Sequence, residues 1–391
     1  MVQNRITLLS GLSHAAQRLA LNIFVLALCW AQDLSAGEFK ADWQIQWEST
    51  LTAAKAEGKL VILNSEYYDI VFAEFQKKYP EIKVVAGTGR ASQQVQRVMS
   101  ERRAEKYTVD LFINGGTTAY TILYKGKALD PIKPALVLPE VLDDSKWWMN
   151  GKHNYIDDER QYLFSFNWEL QPYYVYNTKL VDLKEIKSYW DLLNPKWKGK
   201  MVALDPAIGG PVATPLRFIY YHPDLGPNFL RRLLEETDLI LSRDLRQMTD
   251  WIANGKFAIG VFVDPPRTGL VEAKKQGLAV DWFGTTAFKE GIPVSSSSGN
   301  VGLFNRAAHP NAAKLAINWL LSREGQILFQ KISVRERVST NSSRVDIPKN
   351  EIPADFQRVA GGNYVVTERP DWMEMTPILK VVDQALKRNT K

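Results

Sequence analysis

Cysteine is almost missing from this chain: one residue, Cys29, in 391. It sits inside an apolar run near the N-terminus, Leu19 to Ala31. If that run belongs to a leader that is removed, the mature chain holds no disulfide, no thiolate nucleophile and no cysteine-based metal site. A thiol-free chain suits an oxidising compartment. Histidine is scarce too, with His14, His153, His222 and His309. No pair of them has the spacing of a metal-binding helix, and His222 and His309 each precede a proline, as turn residues do. The chain lacks a Gly-x-Ser-x-Gly elbow and a Gly-rich phosphate loop. Gly87-Thr88-Gly89 has no third glycine to complete a dinucleotide fingerprint. Asp143-Asp144 and Asp157-Asp158 are adjacent pairs, the spacing of surface turns rather than of acid–base partners. The expectation is a non-enzyme with no catalytic residue and no cofactor.

Long runs of a single character are also missing. The formal net charge of +6 is spread thinly, and the most basic stretch, Glu101-Arg102-Arg103-Ala104-Glu105-Lys106, alternates in sign. It reads as a solvated helix face, so no nucleic-acid partner is expected. Leu19–Ala31 is shorter than the roughly 20 apolar residues that span a bilayer. It suits the apolar region of a signal peptide covering residues 1–36, with small residues near Ala31 or Ala36 for cleavage. No later run is long enough to span a membrane. The expected product is soluble, exported to the periplasm and monomeric.

What is present is an alternation of strands and helices. With 45% hydrophobic residues over 391 positions, the chain is long enough for two lobes. Leu60–Leu63, Ile82–Val85 and Val109–Ile113 read as short buried strands. Amphipathic segments separate them, near 69–79 and 92–103, the first closed by Pro80. Short loops between strand and helix imply βαβ units and a parallel sheet. Aromatic strands follow at Tyr162–Phe166 and Tyr173–Asn177, then a second α/β series from Gly199 to Phe262. Ser295-Ser296-Ser297-Ser298-Gly299 has the composition of a linker.

In open parallel sheets ligands sit beyond the carboxyl ends of strands, where loops meet helix N-termini. Five such loops supply the candidate ligand contacts: Ser65, Glu66 and Tyr67; Gly89, Arg90 and Ser92; Gly115, Gly116 and Thr117; Asp205, Gly209 and Gly210; and Asp264. Singly, glycines make turns and Ser92 caps a helix. Together, loops from two α/β series describe a cleft.

Several segments resemble a known family. Trp190-Asp191-Leu192-Leu193-Asn194-Pro195-Lys196-Trp197-Lys198-Gly199-Lys200 is similar to a stretch of the extracellular solute-binding proteins of ABC importers, in the ferric-iron-type branch. Val175 to Thr178 before it, His309 to Gln326 after it and Phe75 to Pro80 near the start match further elements of that family in the same order. The resemblance implies the type II periplasmic-binding-protein fold: two α/β lobes of mostly parallel sheets flanked by helices, joined by two crossing strands near Phe166–Tyr176 and Gly291–Gly302. Lobe one is then discontinuous (37–168 and 292–332), and lobe two comprises 169–291 and 333–391. The implied partners are a small solute and a membrane permease.

The resemblance leaves the ligand open. Iron-binding members carry adjacent tyrosines just beyond the strand that here ends at Phe262, where this chain has Val263-Asp264-Pro265. Tyrosine pairs occur instead at 67–68, 173–174 and 220–221. Arg90 and the loop N–H groups suit a carboxylate or phosphonate. Glu66, Asp205 and Asp264 with their aromatic neighbours suit a cation of polyamine or thiamine type. The reading leans to an organic anion.

Overall fold

The computed structural model describes residues 40–389, apart from Glu66 and Gly209. The leader expected at 1–36 lies outside the described residues. By compactness the chain divides after Ile45, and the described residues before that point hold only the start of the first helix. Among the described residues no helix is long and apolar enough to cross a membrane.

The α-helices of six or more residues are α1 (Asp42–Glu57), α2 (Tyr68–Lys78), α3 (Ala91–Arg103), α4 (Ala213–Tyr221), α5 (Gly226–Glu236), α6 (Leu245–Ala253), α7 (Leu270–Lys275), α8 (Pro310–Leu321), α9 (Arg323–Glu336) and α10 (Thr376–Asn389). Each buries residues at helical spacing. In α2, Tyr68, Val71, Phe72 and Phe75 share the inner face, and in α5, Phe229, Leu230, Leu233 and Leu234 do so. Lys77 and Lys78 in the last turn of α2 suit its C-terminal dipole, and Pro80 follows.

The strands form three sheets. In the first, β1 (Lys59–Asn64) pairs in parallel with β2 (Lys83–Thr88) and β3 (Leu111–Asn114). The same sheet holds β4 (Leu129–Asp130) and β5 (Leu163–Ser165). A three-stranded sheet contains β6 (Glu169–Leu170), β12 (Ile292–Ser295) and β14 (Tyr364–Val366). The second large sheet contains β7 (Tyr174–Asn177), β8 (Met201–Leu204), β9 (Ile240–Ser242), β10 (Ile259–Val261) and β11 (Val280–Trp282), in the order β11-β7-β10-β8-β9. Strand β13 (Asn300–Phe304) then returns to the first sheet, antiparallel to β3, β4 and β5.

The chain therefore leaves the first sheet after β5, passes through β6 and enters the second sheet at β7. It comes back from β11 through β12 to β13. A C-terminal stretch lies along the first crossing, where Trp168 N–H donates to Asn341 O at 2.9 Å and Ser343 N–H to Phe166 O at 2.8 Å. The fold is a two-lobed, mixed α/β one. In the first sheet, alternate residues bury on opposite faces: Leu111, Ile113 and Val301 on one, Phe112, Leu163 and Phe304 on the other. Helices cover both faces of this mixed sheet, which is how its apolar residues on either side are buried. A separate core around Val175, Val202, Ile259, Leu233 and Phe218 supports the second sheet.

The serine run is a correction to the sequence reading. It is not a linker. Ser295 ends β12, Ser297 takes a left-handed turn conformation (φ 52°), and Ser295, Ser296 and Ser298 are buried. Small hydroxyl side chains fit there because the crossing packs tightly: a Cβ on Gly299 would stand 2.2 Å from Asn167 Cβ.

Candidate functional site

The carboxyl ends of β1, β2 and β3 are tied to one another by amide side chains. Gln94 Nε2 donates to Asn64 O (2.8 Å) and Gly87 O (2.6 Å), and Asn114 Nδ2 donates to Gly89 O (3.0 Å) and Gln94 Oε1 (3.1 Å). Gly115 N–H donates to Asn114 Oδ1 at 2.8 Å. Gly116 packs against β13, where a Cβ would come within 2.6 Å of Ile156 Cδ1 and 2.9 Å of Asn300 Nδ2.

The sequence-derived site residues do not all meet. Arg90 and Ser92 are exposed at the start of α3, and the Arg90 side chain makes no capping bond. Asp205 follows β8, with Oδ1 accepting from Ala207 N–H at 2.9 Å and Oδ2 from the exposed Arg243 Nε at 2.8 Å. Gly210 begins a short 3-10 turn. Glu66 and Gly209 lie outside the described residues. Ser65 N–H pairs with Ile113 O at 3.1 Å, continuing the sheet. Three of the residues do converge on the crossings: Tyr67, Thr117 and Asp264.

Tyr67 holds a left-handed backbone (φ 62°) just before α2, stacks on Tyr68 with centroids 5.0 Å apart, and places its hydroxyl 3.3 Å from Ser298 Oγ. Asp264 is buried beyond β10, its Oδ2 3.6 Å from Arg337 Nη2. Arg337 also pairs with the fully buried Glu169 at 3.0 Å and donates to Ser297 Oγ at 2.7 Å. Glu169 accepts further from Asn167 Nδ2 and Ser339 Oγ, both at 3.0 Å. Burial works against the Arg337 charge, but Glu169 and then Asp264 outweigh it and raise its pKa. Burial and the Glu169 charge push the Tyr67 phenol upward.

Thr117 Oγ1 accepts from Arg217 Nη2 at 2.8 Å. Arg217 projects from α4 and is fully buried. Its Nη1 lies 4.0 Å from Glu368 Oε1, beyond hydrogen-bond range, and Nε and Nη1 have no hydrogen-bond partner among the described residues. The Glu368 oxygens are occupied otherwise, by Ser295 Oγ (2.6 Å), Thr367 Oγ1 (3.1 Å) and Ser296 N–H (3.2 Å). Burial lowers the Arg217 pKa, with Glu368, Tyr173 and Tyr221 opposing. Tyr173 bears electrostatically on both Arg217 and Arg337.

A buried guanidinium with unused donors is built to receive an acceptor, since an unpaired buried charge is costly. Surface depressions of about 220 Å³ beside α5 and α10 and about 400 Å³ beside α2 and β2 each lie on one lobe, away from this cluster. No group of three or more His, Cys, Asp or Glu side chains among the described residues is placed to hold a metal ion.

Residues 58–327 match the family model of the bacterial extracellular solute-binding protein. That is more than half of the chain. This chain belongs to the bacterial extracellular solute-binding protein family. Its members are binding proteins, not enzymes. No curated protein matches the sequence. Solved structures show the same fold. An iron- and citrate-bound protein of Trichodesmium (IdiA, FutA) is 18% identical, with a TM-score of 0.61 over 84% of this chain and 99% of that one. Iron-bound HitA from Pseudomonas aeruginosa is 17% identical, TM-score 0.58, over 84% and 99%. The ferric binding protein from Campylobacter jejuni is 16% identical, TM-score 0.60, over 83% and 99%.

Sequence reasoning missed Arg217, Glu169, Arg337 and Glu368. Two of them left a signal. Arg217 is the one charge in Ala213–Tyr221, and Glu169 is the one charge among the aromatic residues of Tyr162–Tyr176. A lone charge inside an otherwise buried segment needs a partner. Arg337 and Glu368 lie in polar surroundings and left none.

Proposed function

We propose that this solute-binding protein captures a small organic anion, a carboxylate or phosphonate, between its lobes in the periplasm. It delivers the anion to the membrane permease of an ABC importer. The lobe limits read from the sequence are part of this proposal, supported by the crossings at β6 and β12. Arg217 carries the reading. It is fully buried, anchored to Thr117 by one nitrogen, and has two further nitrogens, Nε and Nη1, without acceptors. A carboxylate or phosphonate accepts from a guanidinium in a planar, bidentate manner. Each charge-assisted hydrogen bond contributes about 1.5–3 kcal/mol, so losing two weakens affinity by about a hundredfold or more.

Ferric capture is the reading the solved relatives suggest. Tyrosinate ligands must lose their protons, and burial opposes that here by raising the pKa of Tyr67 and Tyr174. The position beyond β10 holds Phe262-Val263 instead of a tyrosine pair.

The test is native mass spectrometry of the purified protein, with identification of what is released on denaturation. Wild type is expected to carry an anion and Arg217→Met to carry none. The same ligand retained by both proteins, or a visible tyrosinate–iron absorption band, sinks the reading.

A further inference from the structure

Two buried neighbours, Arg217 and Glu368, keep unused hydrogen-bonding capacity of opposite kinds. Arg217 Nη2 donates to Thr117 Oγ1 at 2.8 Å, with Met375 Sδ at 3.9 Å, while Nε and Nη1 have no acceptor among the described residues. Each oxygen of a carboxylate can accept two hydrogen bonds. Glu368 Oε2 has both, from Thr367 Oγ1 at 3.1 Å and Ser296 N–H at 3.2 Å. Oε1 has one, from Ser295 Oγ at 2.6 Å, and it is this oxygen that stands 4.0 Å from Arg217 Nη1. Ser296, fully buried on the same turn, also keeps its own hydroxyl without a partner.

A separation of 4.0 Å is too long for a direct hydrogen bond. One oxygen atom about 2.8 Å from both groups closes it in a bent bridge. That atom must accept from Nη1 and donate to Oε1. A hydroxyl does both. An ammonium only donates, and an ionised carboxylate or phosphonate oxygen only accepts. Nη1 carries two N–H groups, so one can serve the hydroxyl while the other and Nε–H hold the anionic oxygens. Because these nitrogens belong to one planar guanidinium, the hydroxyl must lie next to the anionic group.

We propose that the ligand is a hydroxy acid, with its anionic group on Arg217 and a hydroxyl on the adjoining carbon bridging Arg217 Nη1 and Glu368 Oε1. This rests on the anion reading above and names the ligand's second group. 2-Hydroxycarboxylates and 1-hydroxyalkylphosphonates have this chemistry. A plain acid leaves the Glu368 lone pair unused in the interior. An amino acid satisfies Glu368 but sets a second cation, with no acceptor to offer, against the guanidinium.

The experiment is titration calorimetry on the purified protein, stripped of ligand by unfolding and refolding, with two matched sets. The first is lactate, each enantiomer separately, against propionate and alanine. The second is hydroxymethylphosphonate against methylphosphonate and aminomethylphosphonate. In at least one set the hydroxy member is expected to bind about tenfold tighter or more than both others, the worth of one hydrogen bond to a charged group. Glu368→Gln is expected to narrow that gap, and a gap unchanged in the folded variant overturns the placement of the hydroxyl. A plain or amino member that binds within about tenfold of the hydroxy member in both sets, or more tightly, overturns the hydroxy acid. The anion reading then still stands if Arg217→Met abolishes binding. Binding that survives Arg217→Met overturns both. Absence of binding by every probe overturns the proposed class. The comparison within each set uses wild type alone, so it holds even if Glu368→Gln fails to fold.

Discussion

Lys349 should give this protein a stability that rises with pH through the neutral range. Its Nζ donates to Ser342 O at 2.7 Å and Gln330 Oε1 at 3.1 Å. Arg358 donates to the same Ser342 carbonyl at 2.8 Å. Burial, reinforced by Arg358 and opposed by Asp346, pushes the Lys349 pKa down to about 6. Between that value and the ordinary lysine pKa near 10.4, the unfolded chain binds one proton more than the folded one. Folding is thus penalised most at and below pH 6, and the penalty fades as pH rises. The full slope is about 1.4 kcal/mol per pH unit. Lys349 is only half-buried as a whole, and water reduces the effect to about 0.5–1 kcal/mol per unit. Lys349→Met removes the slope and, at all pH values, the two hydrogen bonds. The observable is therefore the difference in unfolding free energy between wild type and variant at several pH values, from urea titrations followed by tryptophan fluorescence. Between pH 7 and 9 the difference should move in favour of wild type by about 1–2 kcal/mol. Parallel pH profiles would refute the reasoning.

Three further outcomes follow from particular contacts. Asn318 is fully buried and accepts from Val137 N–H (2.7 Å) and Leu138 N–H (3.2 Å) while donating to Ala135 O (2.8 Å). Asn318→Ala strands those groups and should cost about 2–4 kcal/mol in chemical denaturation. Gly299→Ala drives a methyl into Asn167 and should lower stability by about 1–3 kcal/mol, measured by its melting temperature. Arg90→Ala, at an exposed position, should leave melting unchanged and shift ligand affinity by less than about threefold in calorimetry, in contrast to Arg217→Met.

The sequence made the lobes legible because their elements are local. Apolar runs of four to six residues followed by helical periodicity mark β1–α2–β2–α3 whatever their partners, and boundaries at Tyr68, Lys78 and Arg103 fall close to those expected. The three-stranded sheet was less legible. Glu169 and Leu170 pair with a strand more than a hundred positions away, and no local pattern encodes that partner. The site was legible only in part for the same reason. Loops at strand ends are visible in sequence, which brought in Tyr67, Thr117 and Asp264. Arg337 and Glu368 reach the cluster from the C-terminal region through tertiary packing alone. The serines misled because their composition is that of a linker, whereas their small size is what lets two crossing segments touch.

The return of β13 sets an order of events during synthesis. This strand lies between β3 and β4 and pairs Asn300 with Asn114. Until residue 304 has emerged, the first sheet lacks its middle, and β3 presents an unpaired edge. The N-terminal lobe therefore cannot finish until every strand of the second sheet has been made, although its own first strands come earlier. Contacts of such long sequence separation slow folding and keep apolar surface open to binding by chaperones. Delayed closure built into the connectivity keeps the nascent chain unfolded for longer, the state in which a polypeptide is threaded across a membrane.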